Sequence, residues 1–382
     1  DTVTIWYSND SGANWTAIRD GGAVLAKRNE FVWNVAELSA GTNYRVQVTC
    51  DQDVAVFDMS DADFTIQPGG AYYVNDTATA GDVYCQNIGD PENDGLTAST
   101  PVDSIQTIID TYALGPGDIV FVDSGIYSLT EDIVIGPGDA GSILGSVLFL
   151  GVKGKTIIDR GAASTLYTSC FSANGAPYII IQGMDCRNAY YGISLETCDY
   201  GQIIENKISG CGSYGISIRD SNHSEIKHNC VVQSGSGTGI SVAAYWYYYY
   251  DSLLCLVKNN TVVTDGGKGL QILADTGPVI KNNIVVASGL GSYCARANDT
   301  RTITYSDYND FFAVNGARVG KIADFEGPTF EMPTLMDWQS AAGWDANSLS
   351  LDPSFADVAA GDYHMKSAAG RWDPVAEAFV LD

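Results

Sequence analysis

Basic residues are scarce in this sequence: Lys and Arg total 20 against 46 Asp and Glu, a formal net charge of −26. A field of that sign repels nucleic acid and anionic membranes and favours solubility and divalent cations. An anionic polysaccharide would need a local basic groove or bridging Ca²⁺. Long apolar runs are missing too. No stretch approaches the roughly 20 residues that a membrane helix needs, so no membrane insertion is expected of these residues. The start carries no basic segment followed by an apolar one, so the chain is expected to be a mature form or a fragment. No Cys-x-x-Cys pair occurs, which removes the usual zinc-site spacing, and there are only three histidines. Charged residues make up only 17%, which argues against Lys/Glu-rich helices.

What is plentiful is glycine (41) and tyrosine (22), the composition of turn-rich, polar but neutral surfaces. Nine cysteines are scattered through apolar strand contexts. They read either as small buried hydrophobes or as partners in disulfides, with one left unpaired by the odd count. Both readings stay open.

With 382 residues there is room for a small domain followed by a solenoid. Residues 1–67 read as short strands. Val3, Ile5 and Tyr7 alternate with polar residues before the Asn9-Asp10-Ser11-Gly12 turn. Further strands are expected at Phe31-Val35, Tyr44-Val48, Val54-Phe57 and Phe64-Ile66. This spacing, and the run from TIWYSNDSGANW to SDADFTI, resembles the immunoglobulin-like modules of large secreted bacterial proteins. Such modules normally have one or two strands before the segment matching Thr2-Tyr7. The domain is therefore expected to be a β-sandwich lacking its first strands, either through trimming or because a neighbouring subunit donates them. Residues 68–71 make a linker.

Residues 72–382 form the second unit. One helix is expected near 101–114, with Thr100 as N-cap, Pro101 at its first position, and Ile105, Ile108, Ile109 and Tyr112 on one face. Such a helix would cover the apolar end of a solenoid. An internal repeat then dominates. Gly192-Ile193-Ser194-Leu195, Gly215-Ile216-Ser217-Ile218, Gly239-Ile240-Ser241-Val242 and Gly269-Leu270-Gln271-Ile272 recur at steps of 23, 24 and 30. Within the same period come Asn206, Asn229, Asn260 and Asn283, at steps of 23, 31 and 23, so one coil carries an insertion. The apolar residues of each coil are expected to stack on those of the next. The asparagines are expected at a left-handed backbone position and in a hydrogen-bonded column, with Gly183 one coil earlier at the same position.

These repeats, with Tyr73-Val74 leading to Asn93-Asp94-Gly95-Leu96 and Pro101, resemble the right-handed parallel β-helix proteins of the pectate-lyase-like superfamily. Asp352-Pro353-Ser354-Phe355 and Gly361-Asp362-Tyr363-His364 are similar to the end of such domains. The resemblance implies an all-β parallel β-helix with an irregular tail from about residue 305, belonging to a longer polypeptide. It also implies that any chemistry lies on the outer face of one sheet, where Ser194, Glu196, Ser217, Arg219, Ser241 and Gln271 should sit. The Arg-x-Pro and Asp-Pro-His-Glu signatures of pectate lyases and alginate epimerases are missing.

Three groups of residues are candidates for function. Glu196 and Arg219, 23 apart, should share a height on adjacent coils, and with His223 and Lys227 they make a catalytic set or a cross-coil salt bridge among solvated turn residues. Asp220 and His228 belong to the same acid–base cluster. Asp82, Asp90, Glu92, Asn93 and Asp94 crowd one loop as hard oxygen donors that can hold Ca²⁺, or stand as a polar loop without metal. Tyr245, Trp246, Tyr247, Tyr248, Tyr249 and Tyr250 lie in the coil insertion. Alternate residues of a strand point opposite ways, so six aromatics cannot all face one core, and the run suits a protein interface or a glycan platform. The favoured expectation is a structural or adhesive module of the cell exterior, extracellular or surface-bound, with self-association or neighbouring domains and a polysaccharide as partners. The other is a polysaccharide lyase, epimerase or glycoside hydrolase.

Overall fold

The computed structural model describes residues 2–18, 24–25, 31, 33, 35, 38–39, 41–66, 69–163, 165–244, 254–273, 277–299, 303–323, 329–366, 371–373 and 378–380. The described strands between residues 71 and 323 wind as a parallel β-helix, three strands to the coil. Sheet 1 contains Ile133–Ile135, Ser169–Asn174, Tyr191–Glu196, Tyr214–Arg219, Thr238–Ala243, Lys268–Leu273, Tyr293–Ala297 and Arg318–Ala323, all parallel. Sheet 2 runs from Ala71–Val74 to Tyr305–Asp307, and sheet 3 from Gly125–Ser128 to Asp310–Val314.

The repeat explains the packing. Ile193, Ile216, Ile240 and Leu270 pair in register up sheet 1, as do Leu195, Ile218, Val242 and Ile272. All eight are fully buried. The recurring glycine leaves room for sheet 3. A Cβ at Gly215 would lie 2.4 Å from Val231 Cγ1, and one at Gly239 2.4 Å from Val262 Cγ1. At such distances something must shift.

The asparagine column is present, but its geometry corrects the expectation. The left-handed residues are Gly183, Glu205, His228, Asn259, Asn282 and Tyr308, each one position before the column. Gly183 is thus level with Glu205, and it is Met184 whose N–H donates to Asn206 Oδ1 (2.9 Å). The turn between sheets 2 and 3 needs the left-handed residue, while the next residue points inward and hydrogen-bonds. Asn206 Nδ2 donates to Asn229 Oδ1 (3.2 Å), Asn229 to Asn260 (3.0 Å), Asn260 to Asn283 (3.0 Å) and Asn283 to Asn309 (3.0 Å). A fifth member, Asn309, therefore ends a column buried along its whole length.

Both ends of the coil stack are covered. Helix α1 (Ile105–Thr111) buries Ile105, Ile108 and Ile109. It starts later than expected, with Ser104 as N-cap. Val102 is held extended between Tyr73 and Asn75 by two backbone hydrogen bonds, and Thr100 donates its hydroxyl to Asp94. At the other end the regular coil continues past residue 305 rather than dissolving into a tail, through Arg318–Ala323. Thr329–Met332 then turns back antiparallel, and helix α2 (Leu335–Ala342) begins with a Thr334/Asp337 capping box. Its Trp338 lies against Gly320, where a Cβ would come within 2.0 Å of the indole. Trp338 Nε1 donates to buried Asp345, which also accepts from Ser306, Asn309 and Ser348.

The N-terminal residues form one six-stranded antiparallel sheet centred on Thr2–Ser8 and Gly41–Cys50. A second, facing sheet of an immunoglobulin-like sandwich is not found among the described residues. The edge strand is Phe57–Met59 rather than Val54-Phe57, because Asp53 holds a turn through its bonds to Ala55 and Val56. Phe31, Trp33 and Val35 lie outside the strands, with Trp33 against Tyr7. All nine cysteines are free thiols, seven of them buried.

Candidate functional site on the outer face of sheet 1

Strand alternation turns one set of side chains outward from sheet 1. Glu196 and Arg219 pair in register on adjacent coils, as expected, and their side chains meet at 3.5 Å. Both are partly exposed. Arg219 also pulls on the phenol of Tyr191, which burial pushes up. Tyr191 in turn stacks on Tyr214 one coil on (5.6 Å between centroids, 16°) and meets Tyr190 edge-on.

The other proposed acid–base residues are engaged elsewhere. His223 takes a left-handed backbone conformation in the next turn and stacks on Tyr200 (4.8 Å, 13°), which stacks on Tyr178 (4.6 Å, 11°). Lys227 stands on sheet 2, bonded to Glu225 (3.0 Å), which also reaches Lys258 (3.6 Å). Asp220 is buried, and His228 sits on a separate left-handed turn between sheets 2 and 3. The sequence spacing thus brings Glu196 and Arg219 together, while His223 and Lys227 are held by partners of their own.

In the acidic loop, Asp82 bonds Asn75 and Ser124, and burial raises its carboxyl above the usual range. Asp90 accepts from the Glu92 N–H, Asn93 donates to the Pro101 carbonyl, and Asp94 holds Leu96 and Thr100. These bonds shape the turn that leads to α1. Among the described residues no three His, Cys, Asp or Glu side chains converge as a metal site. Tyr245, Trp246, Tyr247, Tyr248, Tyr249 and Tyr250 lie outside the described residues.

Sequence reasoning missed the far end of the same face. Lys268, Tyr293 and Arg318 occupy one register position on successive coils, and Gln271, Arg296 and Lys321 another. Four cations therefore gather on the last three coils of a strongly acidic chain. Glu331, from the antiparallel strand, bonds Arg318 (2.9 Å), reaches Lys321 (3.9 Å) and accepts the Tyr293 hydroxyl (2.8 Å). Lys321 also lies over the Tyr293 ring, 5.3 Å from its centre. Lys268 and Arg296 have no carboxylate partner among the described residues. Burial, and then the positive fields of Arg296 and Lys321, hold the Lys268 ammonium below the usual lysine range. The Gly-Ile-Ser-Ile pattern becomes Cys294-Ala295-Arg296-Ala297 here, which breaks the visible repeat, and only the constant step of 25 from Lys268 to Tyr293 to Arg318 marks the coil in the sequence.

Comparison with known proteins follows the fold. A family model described as periplasmic copper-binding protein (NosD) matches residues 151–319. Among solved structures, pectate lyase Pel9A is similar over 76% of this chain and 84% of its own, at 12% identity and a TM-score of 0.48. An alginate lyase from Paenibacillus sp. str. FPU-7 is similar over 64% of this chain and 96% of its own (11%, TM-score 0.38). The A-module of the Azotobacter vinelandii mannuronan C-5 epimerase covers 64% of this chain and 84% of its own (15%, TM-score 0.33). No curated protein matches. At these identities the likeness bears on fold alone.

Proposed function

We propose that this chain is a stiff β-helical module of the cell exterior or periplasm, part of a larger or self-assembling protein, which makes contacts through the outer face of sheet 1. The observation that carries the reading is the engagement of the four candidate catalytic side chains. Glu196 and Arg219 neutralise each other across coils, the His223 ring is stacked on Tyr200, and Lys227 is bonded to Glu225. Cross-coil pairs of this kind hold a solenoid in register. The buried asparagine column and the two covered ends add to that stiffness. A periplasmic or secreted location accords with the family model over residues 151–319. No helix among the described residues is long and apolar enough to cross a membrane.

Copper binding, the description attached to that family model, does not fit the described donors. His223 and His228 sit on separate turns and His364 on the strand Asp362–Met365, and among the described residues no three His, Cys, Asp or Glu side chains converge.

The competing reading is turnover of a uronan at Glu196 and Arg219, favoured by their partial exposure beside Tyr191. One assay separates the two. The protein is mixed with pectate or alginate and Ca²⁺, and absorbance of unsaturated uronates is followed. Flat traces, together with ordered fibres or sheets of the native material in negative-stain electron microscopy, are expected. Product that disappears in Arg219→Ala would overturn the proposal.

A further inference from the structure

The cations at the end of sheet 1 are placed where an acidic chain would least be expected to gather them. Adjacent coils lie about 4.8 Å apart, so Lys268, Arg296 and Lys321 offer one positive charge on each of three successive rungs. Like charges on neighbouring rungs repel and destabilise unless something neutralises them. Glu331 does so for Arg318 and, more weakly, for Lys321. Lys268 and Arg296 are left over.

Arg296 carries a second sign of a missing partner. Its Nε is buried and has no hydrogen-bond acceptor, and its Nη1 makes only a 3.5 Å contact with Gln271 Oε1. A buried N–H without an acceptor is rare and unfavourable. The buried Nε also removes the side-on Nε–Nη fork, one of the two-point arrangements with which arginine grips a planar carboxylate. The Nη groups and the ammoniums of Lys268 and Lys321 remain, as separate donors on different rungs. Point donors around a centre suit a tetrahedral oxyanion with three terminal oxygens.

Resting on the reading of sheet 1 as a contact face, we propose that Lys268, Arg296 and Lys321 form a site for the sulfate-ester groups of a linear anionic glycan laid along the β-helix axis. Such a polymer brings charge to successive rungs, as these cations do, and its sulfate esters stay ionised at any pH the protein would meet. Burial of Lys268 beside Arg296 and Lys321 favours the same occupant, since a bound anion restores the charged ammonium. The net charge of −26 repels a polyanion everywhere else, so retention reports a local site.

The test is affinity for immobilised dextran sulfate at low salt, with neutral dextran and carboxymethyl-dextran of matched charge density beside it. The full chain is compared with Lys268→Gln/Arg296→Gln and with a control, Lys153→Gln/Lys281→Gln, that removes the same two charges elsewhere. Circular dichroism checks that each variant is folded. We expect retention on dextran sulfate alone, weakened about tenfold or more in the site variant and within about twofold in the control. Flow-through of the unmodified chain, or equal retention of the site variant, overturns the site. Equal binding to carboxymethyl-dextran overturns the choice of sulfate. Inorganic sulfate competing as well, charge for charge, as the polymer overturns the extended ligand. Uronan turnover would instead sink the proposed function and leave a positive retention result standing.

Discussion

Replacing Asn260 by alanine tests the column on which the coil stack depends. Asn260 is 1% exposed and makes four side-chain hydrogen bonds. Its Nδ2 donates to Asn283 Oδ1 (3.0 Å) and to the Ile226 carbonyl (2.9 Å). Its Oδ1 accepts from the Asn229 N–H (3.0 Å) and from Asn229 Nδ2 (3.0 Å). Alanine removes all four, but not every partner is orphaned. Asn229 Nδ2 still reaches the Ile203 and Lys227 carbonyls, and Asn283 Oδ1 still accepts the backbone N–H of residue 260. The Asn229 N–H and the Ile226 carbonyl lose this bond. At about 1–3 kcal/mol for each buried group left unsatisfied, plus a small cavity, the loss comes to about 3–5 kcal/mol. Urea unfolding followed by tryptophan fluorescence would read it as a lower midpoint, and hydrogen exchange would show the Asn229 amide losing protection. Asn259→Ala, one residue away on the left-handed turn, should cost only about 1–2 kcal/mol from backbone strain. A loss below about 1 kcal/mol for Asn260→Ala, or equal losses for the two variants, would refute the column as a stabilising element.

Other substitutions probe separate parts of the fold. Gly239→Ala should destabilise by about 1–3 kcal/mol, because its methyl group would meet Val262 at 2.4 Å; thermal unfolding checks this. Trp338→Ala should uncover the last coil and leave the Asp345 network short of one donor, a loss of about 3–5 kcal/mol accompanied by rapid exchange of amides near Phe311. Glu196→Gln should change stability by only about 0–1 kcal/mol, since the pair with Arg219 is long and partly exposed; a larger loss in urea would mean the pair is more than a surface bridge. Asp10 is held down to about 2 by the Ser8 hydroxyl and by Asn14. Its contribution to the turn at residues 8–14 is present above the ordinary carboxylate range and lost as pH falls through about 2. Protection of the amides in that turn, relative to the intrinsic exchange rate at each pH, should therefore fall between about pH 4 and 2, and Asp10→Asn should flatten the response.

Residue order alone carried a good deal of the fold. A period of about 23 with apolar pairs at fixed offsets admits few arrangements other than coils that stack, so Ile193, Ile216 and Ile240 could be placed in one column before any coordinates. Glu196 opposite Arg219 followed from the same spacing. Parallel strands in register turn a difference in sequence number into a position on a face, and the period reports that number directly. The two turn residues between sheets 2 and 3 were harder to separate. Both repeat with the same step, so the period could not say which takes the left-handed backbone and which hydrogen-bonds inward. Three-dimensional contact decided it, since only the second residue points inward and joins the buried column.

Other features needed the tertiary structure from the start. Whether a repeat-like glycine serves backbone conformation or close approach depends on what stands opposite, and for Gly215 and Gly239 that is a valine more than 15 residues away in sequence. The start of α1 was set by the strand at Tyr73 and Asn75, which holds Val102 extended against its local helical signals. The cations of the last coils were invisible as a group because Lys268 stands at another position of its repeat than Arg296 and Lys321, and the glycine pattern that marks the repeat is broken at Cys294. Charge is a property of one residue, but a charged surface is made by which rungs and faces the fold brings side by side, and that is what the β-helix settled.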